Sequence, residues 1–168
     1  AGMGSSVSVG EPLDSTVPKP LETVMEQAVG ADCWEAAQAA VIGNRGAAGP
    51  DGMPVTALRE HLQKHGEAIK RKLLTGSYVP AAARRVEIAK ATGGTRGLNI
   101  PNVVDRFVQQ LLVQVLTPHL DPQMSPSSFG FRPGRSAHDA VRQAQAYARE
   151  GCDWVVDMDI EAFFDRVN

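Results

Sequence analysis

Apolar residues recur along this chain with two different periods, and the changes between them mark out its elements. Leu21 to Val29 and Cys33 to Ile42 carry the helical pattern, the second stretch with Asp32 at its start as a cap. NRGAAGPDG, residues 44–52, breaks that pattern as a Gly/Pro/Asp loop. Pro54 then fits the first position of a helix, with Val55, Leu58 and Leu62 on one face. Another helix is expected after Gly66, with Ile69, Leu73 and Leu74 apolar, ending at Gly76. From Arg84 to Lys90 the period drops to two, with Val86 and Ile88 set against charges, which is a strand. Thr92-Gly93-Gly94-Thr95 would turn the chain, and Leu98 to Ile100 would return as the hairpin partner.

The strongest helical stripe follows Pro101: Val104, Phe107, Leu111, Leu112 and Val115, expected to end near Pro118. Residues 121–135 read as loop. Ser136 begins another helix with Asp139 three residues on, and its stripe is Ala137, Ala140, Val141, Ala144, Tyr147 and Ala148. DWVVDMDI, residues 153–160, alternates again and reads as a strand. Trp154, Val156, Met158 and Ile160 would pack on helices, while Asp153, Val155, Asp157 and Asp159 face the other way. The order of elements predicts an α+β fold.

Composition adds bounds. The 168 residues are 43% hydrophobic, enough for a core, and hold two cysteines, Cys33 and Cys152, expected as core residues of a reducing compartment. No apolar run approaches the roughly 20 residues that span a bilayer, and no signal-like segment opens the chain. The expectation is a cytoplasmic setting without membrane contact. A net charge of -2 argues at first sight against a nucleic-acid partner. Its distribution reverses that inference. Residues 1–43 are net acidic by five charges, residues 59–106 net basic by six, and residues 107–168 net acidic by three. A basic middle followed by clustered Asp suits chemistry on phosphates with metal ions, though a solvated surface of mixed charge accounts for any single run.

Three groups of residues could carry that chemistry. The carboxylates of the 153–160 segment could hold a divalent cation, or line the wet face of a half-buried sheet. Lys90 and Arg96 flank the Gly-Gly turn, where they could grip a polyphosphate or simply solvate a hairpin tip. Arg132 and Arg135, around Pro133-Gly134, precede a helix start that attracts anions; ordinary turn chemistry explains them equally. His138 has no second His or Cys at ligand spacing, which argues against zinc there. Trp34, Phe107 and Trp154 are expected in cores.

Taken together, NRGAAGPDGM, YVPAAARRVEI, NIPNVVDRFVQQLLVQVL, FGFRPGRSAHDAV and WVVDMDIEAFFDRVN resemble, in order and spacing, the N-terminal part of bacterial group II intron reverse transcriptases, the intron-encoded maturases. The resemblance covers about residues 21–168. It implies right-hand polymerase fingers with an N-terminal helical extension and the first strand of a truncated palm. The divisions would be a flexible tail (1–20), an extension with a template-contacting loop (21–82), fingers (83–150) and the start of the palm (151–168). Arg45 and Gly46 would then meet the template, with Arg84 and Arg85 on RNA and Arg132 and Arg135 near template and nucleotide. Lys90 and Arg96 would hold the triphosphate of the incoming dNTP. Asp159 would be the catalytic metal ligand, assisted by the Ile160 carbonyl, with Mg²⁺ acting as a two-ion centre. Ala162 and Phe163 would offer amides to phosphate, and Phe163-Phe164 would wall the sugar. The implied partners are group II intron RNA, an RNA template with a DNA primer, and dNTP.

Two departures stand out. Ala89, Ala91, Gly97 and Asn99 replace residues that are often Pro, or Gly in the last case, in the family, which leaves the hairpin less rigid. The family's Tyr-x-Asp-Asp turn and thumb are absent from these residues, so the fragment alone is expected to be inactive. The alternatives are a non-catalytic RNA-binding module, or a truncated remnant that oligomerises, as a homodimer for instance, through an unpaired strand edge.

Overall fold

The computed structural model describes residues 23–89, 91 and 93–160. Lys90, Ala162, Phe163, Phe164 and the 1–20 tail lie outside the described residues. The chain divides into two compact units, residues 1–120 and 121–168.

In the first unit four helices share one core. α1 (Val24–Ala28) and α2 (Ala31–Gly43) are separated by Gly30, which caps α2 without any side-chain hydrogen bond. Asp32, expected as the cap, sits instead inside the first turn of α2, where its charge still complements the helix dipole. Pro54 precedes a short 3-10 turn, Val55–Ala57, that leads into α3 (Leu58–Leu74). The two helices expected on either side of Gly66 are one. Gly66 lies on the buried face with Leu58, Leu62, Ile69 and Leu73, and a Cβ there would stand 3.4 Å from the Trp34 ring. The missing side chain makes room for that ring. α3 ends at Leu74 with Thr75 as its cap, just before the expected Gly76, which takes φ 66°.

β1 (Arg84–Ala89) and β2 (Thr95–Ile100) form the predicted antiparallel hairpin, with Arg84 opposite Ile100, Val86 opposite Leu98 and Ile88 opposite Arg96. Positive φ at Gly93 and Gly94 makes the turn, a conformation that costs glycine little. α4 (Val103–Leu120) runs only two residues past Pro118, whose missing N–H and ring crowding of the preceding turn's carbonyl fit the end of a helix and not its middle. Val103, Phe107 and Leu111 are fully buried in α4, packed with Leu58 of α3 and Ala28 and Ala37 of α1 and α2. Trp34 meets Phe107 edge-on at 4.7 Å. Leu112, assigned to the stripe, is only partly buried; Val108 takes the buried place.

The second unit is built differently. A 3-10 turn (Asp121–Gln123) opens a loop, and α5 (Ala137–Arg149) follows with the capping box that the sequence predicts. Ser136 accepts from the Asp139 amide, and Asp139 accepts from the Ser136 amide at 2.8 Å. No residue of α5 is buried. The strand expected over residues 153–160 does not form: the segment has no ladder partner among the described residues, and a lone strand leaves its backbone groups to water. Trp154, Val156, Met158 and Ile160 are therefore exposed rather than packed, Trp154 at 95%. Cys152 is exposed as well, against the expectation of a core thiol; Cys33 is half-buried. The described residues make a mixed fold of helices with one small antiparallel sheet, the α+β class that the sequence predicts. No helix among them is long and apolar enough to cross a membrane.

Candidate functional site

The loop of residues 44–53 is fixed from three sides. Arg106 on α4 donates from Nη2 to the Ala47 carbonyl at 2.6 Å, and Arg84 at the start of β1 donates from Nη2 to the Ala48 carbonyl at 3.0 Å. The Asp51 amide donates to Asn102 Oδ1 at 3.2 Å, and Asp51 in turn accepts from the Met53 amide at 3.1 Å. Two glycines allow this. A Cβ on Gly49 would lie 2.6 Å from Asn102 Cα, and one on Gly46 would strike Arg106 Nη1. The glycines of NRGAAGPDG thus serve close approach to α4 as much as turning. Arg45 is held outward at φ 48°, exposed to solvent. The Arg106 Nε is buried without a hydrogen-bond partner.

The hairpin stands beside this loop, joined to it through Arg84. Arg85 pairs with Glu87 at 3.3 Å and lies over Gly97, where a Cβ would come within 3.0 Å of its Nε. Hydrogen bonding from Thr95, with Arg85 alongside, holds the Glu87 carboxyl below its usual range. Arg96 is exposed on β2 opposite Ile88, one pair from the tip. Of the sequence-predicted site residues in this unit, Gly46 and Arg84 both meet the glycine loop's anchors, Arg45 lies exposed at that loop's start, and Arg85 and Arg96 lie farther along the hairpin.

In the second unit Arg132 is the best-anchored side chain. Its Nε donates to Asp121 Oδ1 at 2.7 Å, Nη1 to the carbonyls of Ser125 and Ser128, and Nη2 to the carbonyl and Oδ2 of Asp121. All five guanidinium N–H groups are engaged, and the side chain is 6% exposed. The hydrogen bond from Arg132 holds the Asp121 carboxyl below its ordinary range. Arg135 donates to the Pro126 carbonyl and stacks its guanidinium 5.4 Å from the Phe129 ring centroid. Both arginines organise the 121–135 loop.

Asp159 is exposed, and its Oδ1 accepts from the Ile160 amide at 2.9 Å. No group of three or more His, Cys, Asp or Glu side chains able to hold a metal occurs among the described residues. One carboxylate turned onto its own backbone does not make a two-ion centre, so these residues do not fit the Mg²⁺ arrangement by themselves.

A buried pair stands outside the residues that the sequence pattern singles out. Asp105, 5% exposed inside the apolar stripe of α4, accepts from Tyr78 Oη at 2.6 Å and from the Ala81 amide at 3.3 Å. Burial, reinforced by the hydrogen bond to Asp105, pushes the Tyr78 hydroxyl well above its usual pKa. This pair ties the segment that follows α3 to α4 shortly before β1, and so sets where the hairpin starts. An acid at a helix position flanked by Val104 and Phe107 was the available signal.

Comparison with known proteins gives these features a context. Residues 88–168, from the end of β1 onward, match the Reverse transcriptase (RNA-dependent DNA polymerase) family. Protein YkfC of Escherichia coli strain K12 is 35% identical over 124 residues, covering 71% of this chain and 32% of that protein. The 91 kDa protein in the cob intron of Schizosaccharomyces pombe is 43% identical over 84 residues, covering 50% and 10%. The group II intron-encoded protein LtrA of Lactococcus lactis subsp. cremoris is 35% identical over 103 residues, covering 60% and 17%. The chain spans a third or less of the length of these relatives. The second hairpin strand and the FGFRPGRS turn fall within residues 88–168, and the sequence is similar to group II intron reverse transcriptases and maturases.

Proposed function

We propose that this chain supplies the N-terminal extension (21–82), the fingers (83–150) and the first palm segment (151–168) of an RNA-directed DNA polymerase that also binds its intron RNA in a bacterial cytoplasm. The observation that carries this reading is the Arg84–Ile100 hairpin, fixed at its base to the glycine loop through Arg84 and the Ala48 carbonyl. In this reading Arg45 and Arg85 meet template phosphates, and Lys90 and Arg96 near the tip neutralise the triphosphate of an incoming nucleotide. Arg84 and Gly46 act by holding the loop against the hairpin and α4. Arg132 acts through the loop that it orders, since its donors are already engaged, and Arg135 keeps that loop beside the start of α5. Asp159 and the Ile160 carbonyl form one side of a metal site completed by carboxylates from elsewhere. The Phe163-Phe164 pair walls the sugar, and the amides of Ala162 and Phe163 meet phosphate.

Two measurements test this. Binding of a group II intron RNA, followed from low to high salt, should weaken steeply, with a shallower slope in the Arg45→Ala/Arg85→Ala variant. Each lost phosphate contact should remove about 0.7–0.9 from that slope. Salt-insensitive binding sinks the proposal. Primer extension by the 168-residue chain with Mg²⁺ and dNTP should be absent; extension would show that the metal site is complete without other carboxylates.

A second reading rests on a specific observation, the exposed alternation of Trp154, Val156, Met158 and Ile160. Such a segment could pair with a second copy of itself. Sedimentation at falling concentration decides this, and a dilute monomer removes the idea.

A further inference from the structure

Away from the hairpin, α3 presents two imidazoles one helical turn apart. His61 and His65 occupy positions i and i+4, so they share a face, and their ring centroids are 4.6 Å apart with a 45° tilt. They line a shallow pocket of about 230 Å³ together with Met53, Ala57, Glu60 and Lys64. The backbone beneath is a regular helix that runs unbroken from Leu58 to Leu74, anchored along the adjoining buried face by Leu62, Ile69 and Leu73. The rings are therefore carried on a rigid support. His65 is exposed and His61 half-buried, and neither ring has any other aromatic partner among the described residues.

Nothing in a polymerase reading uses this pair. Its spacing is that of helix-borne histidine pairs that chelate zinc. Metal–nitrogen bonds of about 2.0–2.1 Å require the two donor nitrogens roughly 3 Å apart, a distance that side-chain rotation can reach from the observed ring separation. We propose that His61 and His65 form a two-imidazole chelate for a divalent transition metal of borderline softness, with Zn²⁺ as its representative, and with water in the remaining coordination positions.

Two features of the pocket suit a cation. Asp51 contributes a negative field at His61. Lys64, the cation in the pocket, is already paired with Glu60 at 2.7 Å, so its charge is partly offset. Imidazole donors also select against Mg²⁺, which prefers oxygen, so this site would not compete for the ion of a polymerase centre.

The test is calorimetric titration of the intact 168-residue chain with Zn²⁺, with Mg²⁺ as the contrast. One micromolar site for Zn²⁺ and none for Mg²⁺ is expected. His61→Ala and His65→Ala should each weaken Zn²⁺ binding by about tenfold or more, at least the loss that removing a mere outer partner of a metal ligand brings. His119→Ala, His138→Ala and Cys152→Ser should leave it unchanged. Circular dichroism confirms that each variant keeps its helices. As an independent readout, the Cu²⁺-loaded protein should show nitrogen hyperfine coupling that disappears in the double variant. Zn²⁺ binding no tighter than millimolar, or binding that survives both histidine substitutions, overturns the proposal.

Discussion

α4 and α5 carry the same kind of apolar stripe and end in opposite situations. In α4, Phe107 and Leu111 are fully buried because α1 and α2 pack against that face. In α5, Val141 remains 55% exposed and Tyr147 44% exposed. The units around them differ accordingly. Residues 23–120 are held by an apolar core, whereas the 121–135 loop is held by Arg132 and Arg135 and their acceptors. An amphipathic pattern states which face of a helix is ready to be covered, and only the neighbours decide whether it is.

The most forceful way to break the comparison is to remove the same kind of side chain from each helix. Phe107→Ala should destabilise residues 23–120 by about 3–5 kcal/mol, the usual cost of an aromatic-sized cavity. Val141→Ala in α5 should change stability by less than about 0.5 kcal/mol, as at other surface positions. Urea unfolding followed by circular dichroism measures both. Equal costs would mean that α5 is buried in solution.

Next in size come the polar and steric fixtures of the first unit. Tyr78→Phe leaves the buried Asp105 with the Ala81 amide alone and should cost about 1–3 kcal/mol. Its pH signature follows from the raised phenol pKa. The folded state favours the protonated hydroxyl, so this stabilisation is complete below about pH 10 and is lost as pH rises beyond it. The phenylalanine variant should lack that alkaline loss. Gly49→Ala forces a methyl group against Asn102, where Cα lies 2.6 Å from the Cβ position, and should cost about 1–3 kcal/mol in thermal unfolding. Faster amide exchange at Asp51, whose N–H is held by Asn102, would localise the damage.

What could be read in advance follows the range of the forces involved. The hairpin from Arg84 to Ile100 and the α5 capping box are local patterns that formed where the sequence places them, and the α4 helix did too, with its buried stripe shifted to include Val103 and Val108 in place of Val104 and Leu112. The continuity of α3 through Gly66 and the clamping of Gly49 depend on Trp34 and Asn102, residues distant in sequence, so composition suggested a break and a free loop instead. The 153–160 alternation shows the same limit from the other side. Its period of two is a property of the side chains, but a strand is a property of a pair, and the described residues supply no partner. At the candidate site the sequence left Arg132 between ordinary turn chemistry and an anion site, and its engagement by Asp121 and two serine carbonyls, distant enough in sequence to be unreadable from the turn alone, gives it the turn role.

The smallest expected effect belongs to the second unit alone and sharpens the contrast most. Hydrogen bonds from the Ser136 side chain and amide, with Arg142 on the other oxygen, lower the Asp139 pKa to about 2. A carboxyl whose pKa is depressed on folding contributes stability that is fully present above its unfolded value near 3.9 and is lost as pH falls toward 2. The α5 cap should therefore loosen between about pH 4 and pH 2, before any apolar contact is disturbed, and Asp139→Asn should remove that step. Helix-resolved amide exchange at Ala140 and Val141 reads this directly. Among the described residues the titratable groups beside the stripe of Phe107 and Leu111 are Asp105 with its tyrosine and the Cys33 thiol, and the apolar packing of that stripe does not titrate, so the α4 amides should stay protected over the same interval. If α4 loosens together with α5, the two helices share one cooperative unit, and the division between an apolar core and a hydrogen-bonded loop does not govern stability.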